Sequence, residues 1–371
     1  MDIFNRKEKK GLWAIYMTHA IDALAFSISS IFVPIFLLSS GETVRTVALY
    51  FIIHNIVLLF SAILSGMVSS KFGLKKCMML RYPFLFAYLF MLTSWGSFGN
   101  IIWLAVFSGL AAGFFWIPLN IFFGRHAGIK GLGSAIAKLS VMPQLVGLGG
   151  PLLGGVLAVI FGFKSLFIIT FVISIFSLLP LFLSPNLKDY FKFDPKKGLL
   201  FFLRSPKLLI ADMVDNIGGE AEGIIWPIFV FLTVQSTISV GIVGTFIAIG
   251  SLLFTVLIGK ATDKKSERSL IRLAVPLLIL IWGIRVFIQV EGVMYLTTIA
   301  AGFVLTLFTV PYTRLLFAKA KRERNESFYV MKEVPTVLGR LVILALFFIF
   351  ADNIAWLFPF AGLSYLYFLF L

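Results

Sequence analysis

The sequence predicts an all-α polytopic membrane protein of about twelve transmembrane helices in two six-helix pseudosymmetric bundles, and three observations carry that reading. Apolar runs long enough to cross a bilayer recur from end to end, basic residues collect in alternate connections, and the second half of the chain repeats the first.

The apolar runs come first because they set the solvent. Apolar residues make up 60% of the 371 and charged residues only 13%, with 42 Phe; soluble domains carry about 25% charged residues, so a water-soluble fold is excluded. A hydrocarbon core roughly 30 Å thick needs about 20 apolar residues per helix. Runs of that kind place spans 1 to 12 at 11–38, 44–68, 77–96, 100–123, 134–160, 164–183, 207–233, 238–260, 270–289, 292–317, 329–350 and 354–371. They are continuous and far longer than the roughly 10 alternating residues of a barrel strand, so the spans are helical. The first follows Arg6, Lys7, Lys9 and Lys10, but its length and the His19 and Asp22 inside it argue against a cleaved signal peptide. The single cysteine, Cys77, has no partner for an intramolecular disulfide and reads as packing.

Charge sets the orientation. Of the 32 Lys and Arg, 28 fall in the N-terminal segment and the even-numbered connections, at 6–10, 71–81, 125–138, 188–207, 260–272 and 314–332. The other side holds Arg45, Lys164 and Arg285, and Arg340 is left inside span 11. This alternation predicts a multi-pass protein of the cell membrane with both termini cytoplasmic. The formal charge of +15 is therefore a topology signal, and with no compact basic and aromatic patch beside it no nucleic-acid partner is expected.

A shift of 193 residues aligns Asp22 with Asp215, Pro34-Ile35-Phe36 with Pro227-Ile228-Phe229, Gly66 with Gly259, Lys71 with Lys264, Gly109 with Gly302 and Pro118 with Pro311. With one deletion, Pro143 and Gly147 pair with Pro335 and Gly339. One offset across four helix pairs predicts an internal repeat: an N-terminal bundle at 1–183, a cytoplasmic linker at 184–206 and a C-terminal bundle at 207–371, related by an axis along the membrane normal.

Within that frame stand short motifs that carry a family resemblance. After span 2 comes G-M-V-S-S-K-F-G-L-K-K, with Gly66, Ser70, Lys71 and Gly73; after span 8 comes G-K-A-T-D-K-K-S-E-R, with Gly259, Asp263, Lys264 and Arg268. Both are similar to the G-x-L-x-D-R-x-G-R-K loop of the major facilitator superfamily, which the chain resembles along its whole length. In span 5, G-P-L-L-G-G, with Gly150, Pro151, Gly154 and Gly155, is similar to the motif associated with that superfamily's antiporters. Ser70 stands where the loop pattern has Asp, and Ala105 where the antiporter pattern has Arg. The resemblance implies two bundles rocking about a central site, with spans 1, 4, 7 and 10 lining the cavity, helped by 2, 5, 8 and 11. Physically, a Gly-started basic loop lets two helix ends approach, and an acid within it forms an ion pair that breaks when the halves rock; glycines and Pro151 in span 5 allow close packing or a hinge.

Ionisable residues at bilayer depth cost at least about 2.5 to 3.5 kcal/mol each, so they mark candidate sites. Span 1 holds His19 and Asp22, span 2 His54, span 7 Asp212, Asp215, Glu220 and Glu222, and span 11 Arg340, read as the only mid-span cation; the interiors of spans 3, 6, 9 and 12 are read as charge-free. Asp22 lies about 16 Å along its helix from Gly11 at 1.5 Å per residue, near mid-membrane. On regular helical spacing Asp215 and Glu222 share a face, Asp212 lies about 60° round and Glu220 about 140° away. Asp22, Asp215 and Glu222 are therefore expected to bind a cation or exchange protons, with Glu220 less well aligned. His19 is expected to bond to Asp22 one turn away or relay a proton, and Asp212 to cap the start of its helix. Arg340 is expected to meet an acid or an anionic group, while His54, Asn120 in span 4 and Gln144 in span 5 supply hydrogen bonds to solute or between helices. Trp116 and Trp226 are candidates for ligand stacking or for packing.

The expected function is secondary active transport of a small solute by alternating access, coupled to a proton or cation and directed toward export, by a monomer surrounded by membrane lipids. No P-loop supports direct ATP drive, and no H-E-x-x-H, G-x-S-x-G or CxxC pattern supports an enzyme, a metal or another cofactor. The alternative is a lipid or lysolipid flippase of the same fold.

Overall fold

The computed structural model describes residues 6–126, 132–184, 191–264, 266–288 and 290–370. Part of the expected linker, 185–190, lies outside the described residues, as do Lys130, Lys188 and Lys265 of the basic connections. Among the described residues the chain is helical and has no strand, as a bilayer demands of a backbone that must bond to itself. The spans, in the predicted order, are α1 Trp13–Ser39, α2 Val44–Phe72, α3 Leu74–Thr93, α4 Ile101–His126, α5 from Leu132–Gly147 on through 150–161, and α6 at 163–183. The second set is α7 Pro206–Val234, α8 Thr237–Lys264, α9 Glu267–Arg285, α10 Glu291–Arg322, α11 Glu333–Ile349 and α12 Ile354–Phe370.

The two sets pack alike. In the first, α2 and α3 both lie against α4, and in the second α8 and α9 both lie against α10. Across the halves, α2 packs on α11 and α5 on α8, two contacts that the repeat exchanges. The same symmetry holds at atomic detail. A methyl at Gly109 would sit 2.6 Å from the His54 carbonyl oxygen, and one at Gly302 would sit 2.6 Å from that of Ile247, the repeat partner of His54. Both glycines are there because the backbones of two helices touch.

Glycine also builds the α5/α6 corner. Gly150 and Gly154 face Ser27 and Ile28 of α1 in the same order along both helices, whereas Thr18 donates to the Ser177 carbonyl and Thr170 to that of Ala25 in the opposite order. The chain therefore runs parallel to α1 before Gly162 and antiparallel after it, and turns at that residue with φ +79°. Gly155 and Pro151 instead meet α8 at Thr237, Ile238, Gly241 and Gly244. The helix 5 motif thus serves two seams at once, one within its half and one between halves.

The connection between the halves contains a helix of its own, Pro195–Leu203. Asp194 caps it by accepting from the Lys197 amide at 3.1 Å, and Pro195 suits its first turn. Its apolar side buries Gly198, Phe201 and Phe202, the rings lying 4.8 and 5.6 Å from Phe328.

Valine at Gly109 or at Gly302 is expected to cost about 1 to 3 kcal/mol by overpacking, with similar losses in the two halves. Alanine at Gly283, whose methyl would meet nothing within 4 Å, is expected to be neutral or stabilising by under about 1 kcal/mol; thermal unfolding in detergent compares the three.

Candidate functional site

A cavity of about 660 Å³ lies inside the bundle, walled mainly by α1 to α5, with Arg340 of α11 reaching in from the other half. Of the residues singled out by sequence, His19, Asp22, His54, Asn120, Gln144 and Arg340 line it, as does Trp116. Asp215, Glu220 and Glu222 do not line it, so the three acids expected to act together are not brought around one cavity.

Asp22 is not an isolated acid. It accepts from Arg81 of α3, and both side chains are almost wholly buried. The Arg81 guanidinium lies 4.2 Å from the Phe115 ring centroid and 5.3 Å from that of Phe26. By sequence Arg81 is counted with a topogenic basic loop at the start of the expected span 77–96, whereas α3 begins at Leu74, so Arg81 lies two turns along the helix and is buried. His19 does not take the expected bond to Asp22 through Nδ1, which has no partner among the described residues. Its ring packs instead on Phe115 and Trp116 at 5.7 and 6.1 Å, and Asp22 Oδ1 likewise has no hydrogen-bond partner among the described residues.

Glu222 repeats the pattern in the other half. It accepts both guanidinium nitrogens of Arg285, at 2.5 and 3.1 Å, and that guanidinium stacks on Trp226 at 3.9 Å and Trp282 at 4.6 Å. Arg285, read from sequence as a loop cation, is fully buried at the end of α9, and Trp226 is packing, not a ligand platform. Glu222 lies in a π turn formed by residues Ala221–Ile225. Pro227 two residues beyond cannot donate to the ladder, and the wider turn absorbs that defect while rotating the remainder of the helix. The expectation of charge-free spans 3 and 9, and of Arg340 as the only cation at depth, is corrected accordingly.

The remaining acids of α7 also have defined partners or neighbours. The helix starts at Pro206 after Ser205, so Asp212 lies beyond its first turn and is no cap. It accepts from Thr336 at 3.0 Å and sits 3.3 Å from Lys332. Asp215 is half-buried one turn on. Glu220 accepts from Asn55 of α2 at 3.1 Å and lies 3.9 Å from Arg340, which also donates to Asn55 at 3.4 Å. Asn55 thereby ties an acid and a cation of one half to the other; no charge marks it in the sequence. His54 shares the Ser108 hydroxyl, 2.7 Å away, with Tyr50, and Gln144 donates to Ser251 of α8 at 3.2 Å.

The two loop motifs sit at the end of the bundle that carries the basic connections. Asp263 accepts from the backbone amide and hydroxyl of Ser134 at 3.0 and 2.5 Å, near the start of α5, and lies 3.5 Å from Arg314. Gly259 is buried, while Lys264 and Arg268 are exposed. In the other copy Gly66 packs on Val330 and Phe193, Ser70 accepts weakly from the Phe193 amide at 3.5 Å, Lys71 lies 5.3 Å from the Phe72 ring, and Gly73 closes α2 at φ +89°. The serine is no defect there: its loop meets the linker and an apolar side chain where the second copy meets a helix start. Arg125 and Glu326 add a two-pronged pair at 2.9 Å between the halves.

A duplicated helical bundle with a charged, solute-sized cavity at mid-depth, touched by both halves, defines a polytopic membrane transporter. Residues 15–214, more than half of the chain, match the Major Facilitator Superfamily, and the chain belongs to that family. The crystal structure of the human organic anion transporter MFSD10 (TETRAN) is similar over 99% of each chain, with a TM-score of 0.70 at 14% identity, a likeness of fold. No curated protein matches the sequence.

Removing one member of the Glu222–Arg285 pair strands a buried charge, so Arg285→Met is expected to destabilise by about 3 to 5 kcal/mol. The double variant Glu222→Leu with Arg285→Met is expected to recover most of that loss; a thermal-unfolding double-mutant cycle reads the coupling.

Proposed function

We propose that this chain is a secondary active transporter that carries a small amphipathic organic anion by alternating access, with the 660 Å³ cavity as its transport site. The cavity itself carries the reading. Its charged wall holds two guanidiniums, Arg81 and Arg340, against a single carboxylate, Asp22, among the described lining residues. Glu220 stands 3.9 Å from Arg340 but outside the cavity wall, so the wall itself keeps a cationic balance that an anionic solute complements. The acidic excess that favours cations on sequence grounds is cancelled, since Asp22 and Glu222 are each spent on an arginine. Arg81 Nε and His19 Nδ1 have no hydrogen-bond partner among the described residues and stand ready for a solute. Phe26, Phe51, Phe115 and Trp116 supply an apolar and aromatic wall for its carbon skeleton. The similar human structure is that of an organic anion transporter, which points the same way.

The coupling role falls to Asp22. A proton on its carboxyl releases Arg81, and release of Arg81 creates a cationic site for the solute, so proton and anion move as linked ligands. Glu220, which meets Asn55 of α2 and Arg340 of α11, tunes Arg340 from outside the cavity. The basic end is the cytoplasmic one by the distribution of Lys and Arg. Proton and anion bound together cross in the same direction, which favours uptake down an inward proton gradient by a monomer of the cell membrane, against the export that the antiporter-like α5 motif favours on sequence grounds.

A saturating aromatic carboxylate, at 100 times its dissociation constant, is expected to stabilise the purified protein by about 2.7 kcal/mol, and Arg340→Gln is expected to abolish the shift. In proteoliposomes Asp22→Asn is expected to bind the same anion yet lose accumulation driven by a pH gradient. Stabilisation by cationic amphiphiles would reverse the charge assignment, a response confined to lysolipids would mark a flippase, and gradient-driven accumulation by Asp22→Asn would remove the coupling role.

A further inference from the structure

A second cavity, of about 790 Å³, lies at the basic end of the bundle, away from the transport cavity, where the end of α4, the linker and the turn after α10 meet. Among the described residues five cations line it: Arg125, Lys192, Lys197, Lys321 and Arg324. The two acids beside them are already engaged. Asp194 caps the linker helix, and Glu326 takes both prongs of Arg125. By count the described wall is more basic than acidic, and Lys197 also donates to the Arg324 carbonyl at 3.1 Å.

Two buried polar groups point to a ligand independently of that charge. Tyr329 and Asn325 line the cavity, each only 3% exposed. The Tyr329 hydroxyl and the Asn325 Oδ1 have no hydrogen-bond partner among the described residues, a costly state in a folded protein. Neither is loosely placed. The Tyr329 ring packs on Phe317 and Phe328 at 5.1 and 5.3 Å, and Gly124 lets it lie so close that a methyl there would be 2.1 Å from Tyr329 Cζ. Asn325 is held by its other end, donating to the Lys197 carbonyl at 3.1 Å. Arg324, beside it, adopts φ +49°, a backbone state that an arginine rarely takes.

We propose that this cavity is a binding site for a phosphate-bearing anion that also carries a hydroxyl group. Tyr329 donates to a phosphate oxygen, the guanidinium and ammonium groups balance its charge, and Asn325 Oδ1 accepts from the hydroxyl. A soluble phosphorylated metabolite and a lipid headgroup both present this chemistry. The ligand bridges α4 of the first half, the linker and the α10 turn of the second, so its binding holds the basic end closed.

The test is thermal unfolding of the purified full chain with glycerol 3-phosphate at constant ionic strength, against sulfate and chloride. Saturable stabilisation by glycerol 3-phosphate is expected. Tyr329→Phe, which removes a hydroxyl that bonds to no described residue, is expected to leave unliganded stability unchanged or raised and to weaken binding by about tenfold. Lys192→Gln with Arg324→Gln is expected to weaken it as well and serves if the tyrosine variant folds poorly. The same variants in nanodiscs of phosphatidylglycerol and of phosphatidylcholine separate the sources. Stabilisation by phosphatidylglycerol that Tyr329→Phe removes, and that blocks the glycerol 3-phosphate effect, assigns a lipid headgroup; an effect of glycerol 3-phosphate undiminished in phosphatidylglycerol assigns a soluble phosphate. An equal response to sulfate or chloride, no response at all, or a response that all of these variants retain overturns the site. None of these outcomes depends on transport.

Discussion

In a hydrocarbon solvent a charge must find its counter-charge within the protein, and a backbone amide must find its carbonyl within the same helix. Much of the architecture follows from the first half of that constraint. Asp22 meets Arg81, Glu222 meets Arg285, Asp212 meets Thr336 and Lys332, and Glu220 meets Asn55 and Arg340. Each pairing joins two helices, and together they tie α1 to α3, α7 to α9, and α7 to both α11 and α2.

The ion pairs divide into two kinds. Glu222–Arg285 is sealed between tryptophans, with Arg285 wholly buried, so it is a fastening of the second half. Asp22–Arg81 occupies the corresponding role in the first half but borders the cavity, where a solute or a proton can compete for either member. The Asn55 network adds a polar contact across the halves at similar depth, in a place where rocking must break or slide it. At the basic end the contacts are of another sort: Asp263 on the start of α5, Arg125 on Glu326, and the linker helix pressed on Phe328. Partly exposed ion pairs exchange with water at little cost, which suits contacts that open and close.

The fold was legible in the sequence because the bilayer imposes it residue by residue. Twenty apolar residues make a span whatever their neighbours are, and basic loops sort by side before any tertiary contact exists. The repeat was legible because glycines at backbone crossings are irreplaceable: Gly109 and Gly302 mark the same crossing twice. Six candidate residues that the structure places on the cavity, among them Asp22 and Arg340, were visible as polar groups at depth. Arg81 and Arg285 both fell within predicted spans, at 77–96 and 270–289, but close to their ends, where a topogenic and a buried arginine look alike.

The sequence by itself determined the solvent, the helices, their order and the duplication, since these rest on local hydrophobicity and on a repeat that needs no partner. Only the tertiary structure decided which charges cancel. Glu222, in a π turn of five residues, closes on Arg285 of α9, and Arg81, near the start of α3, closes on Asp22 of α1. Helical periodicity is accurate to a turn, whereas the sign of a cavity depends on which of two oppositely charged side chains, far apart in the chain, close on each other at hydrogen-bond distance.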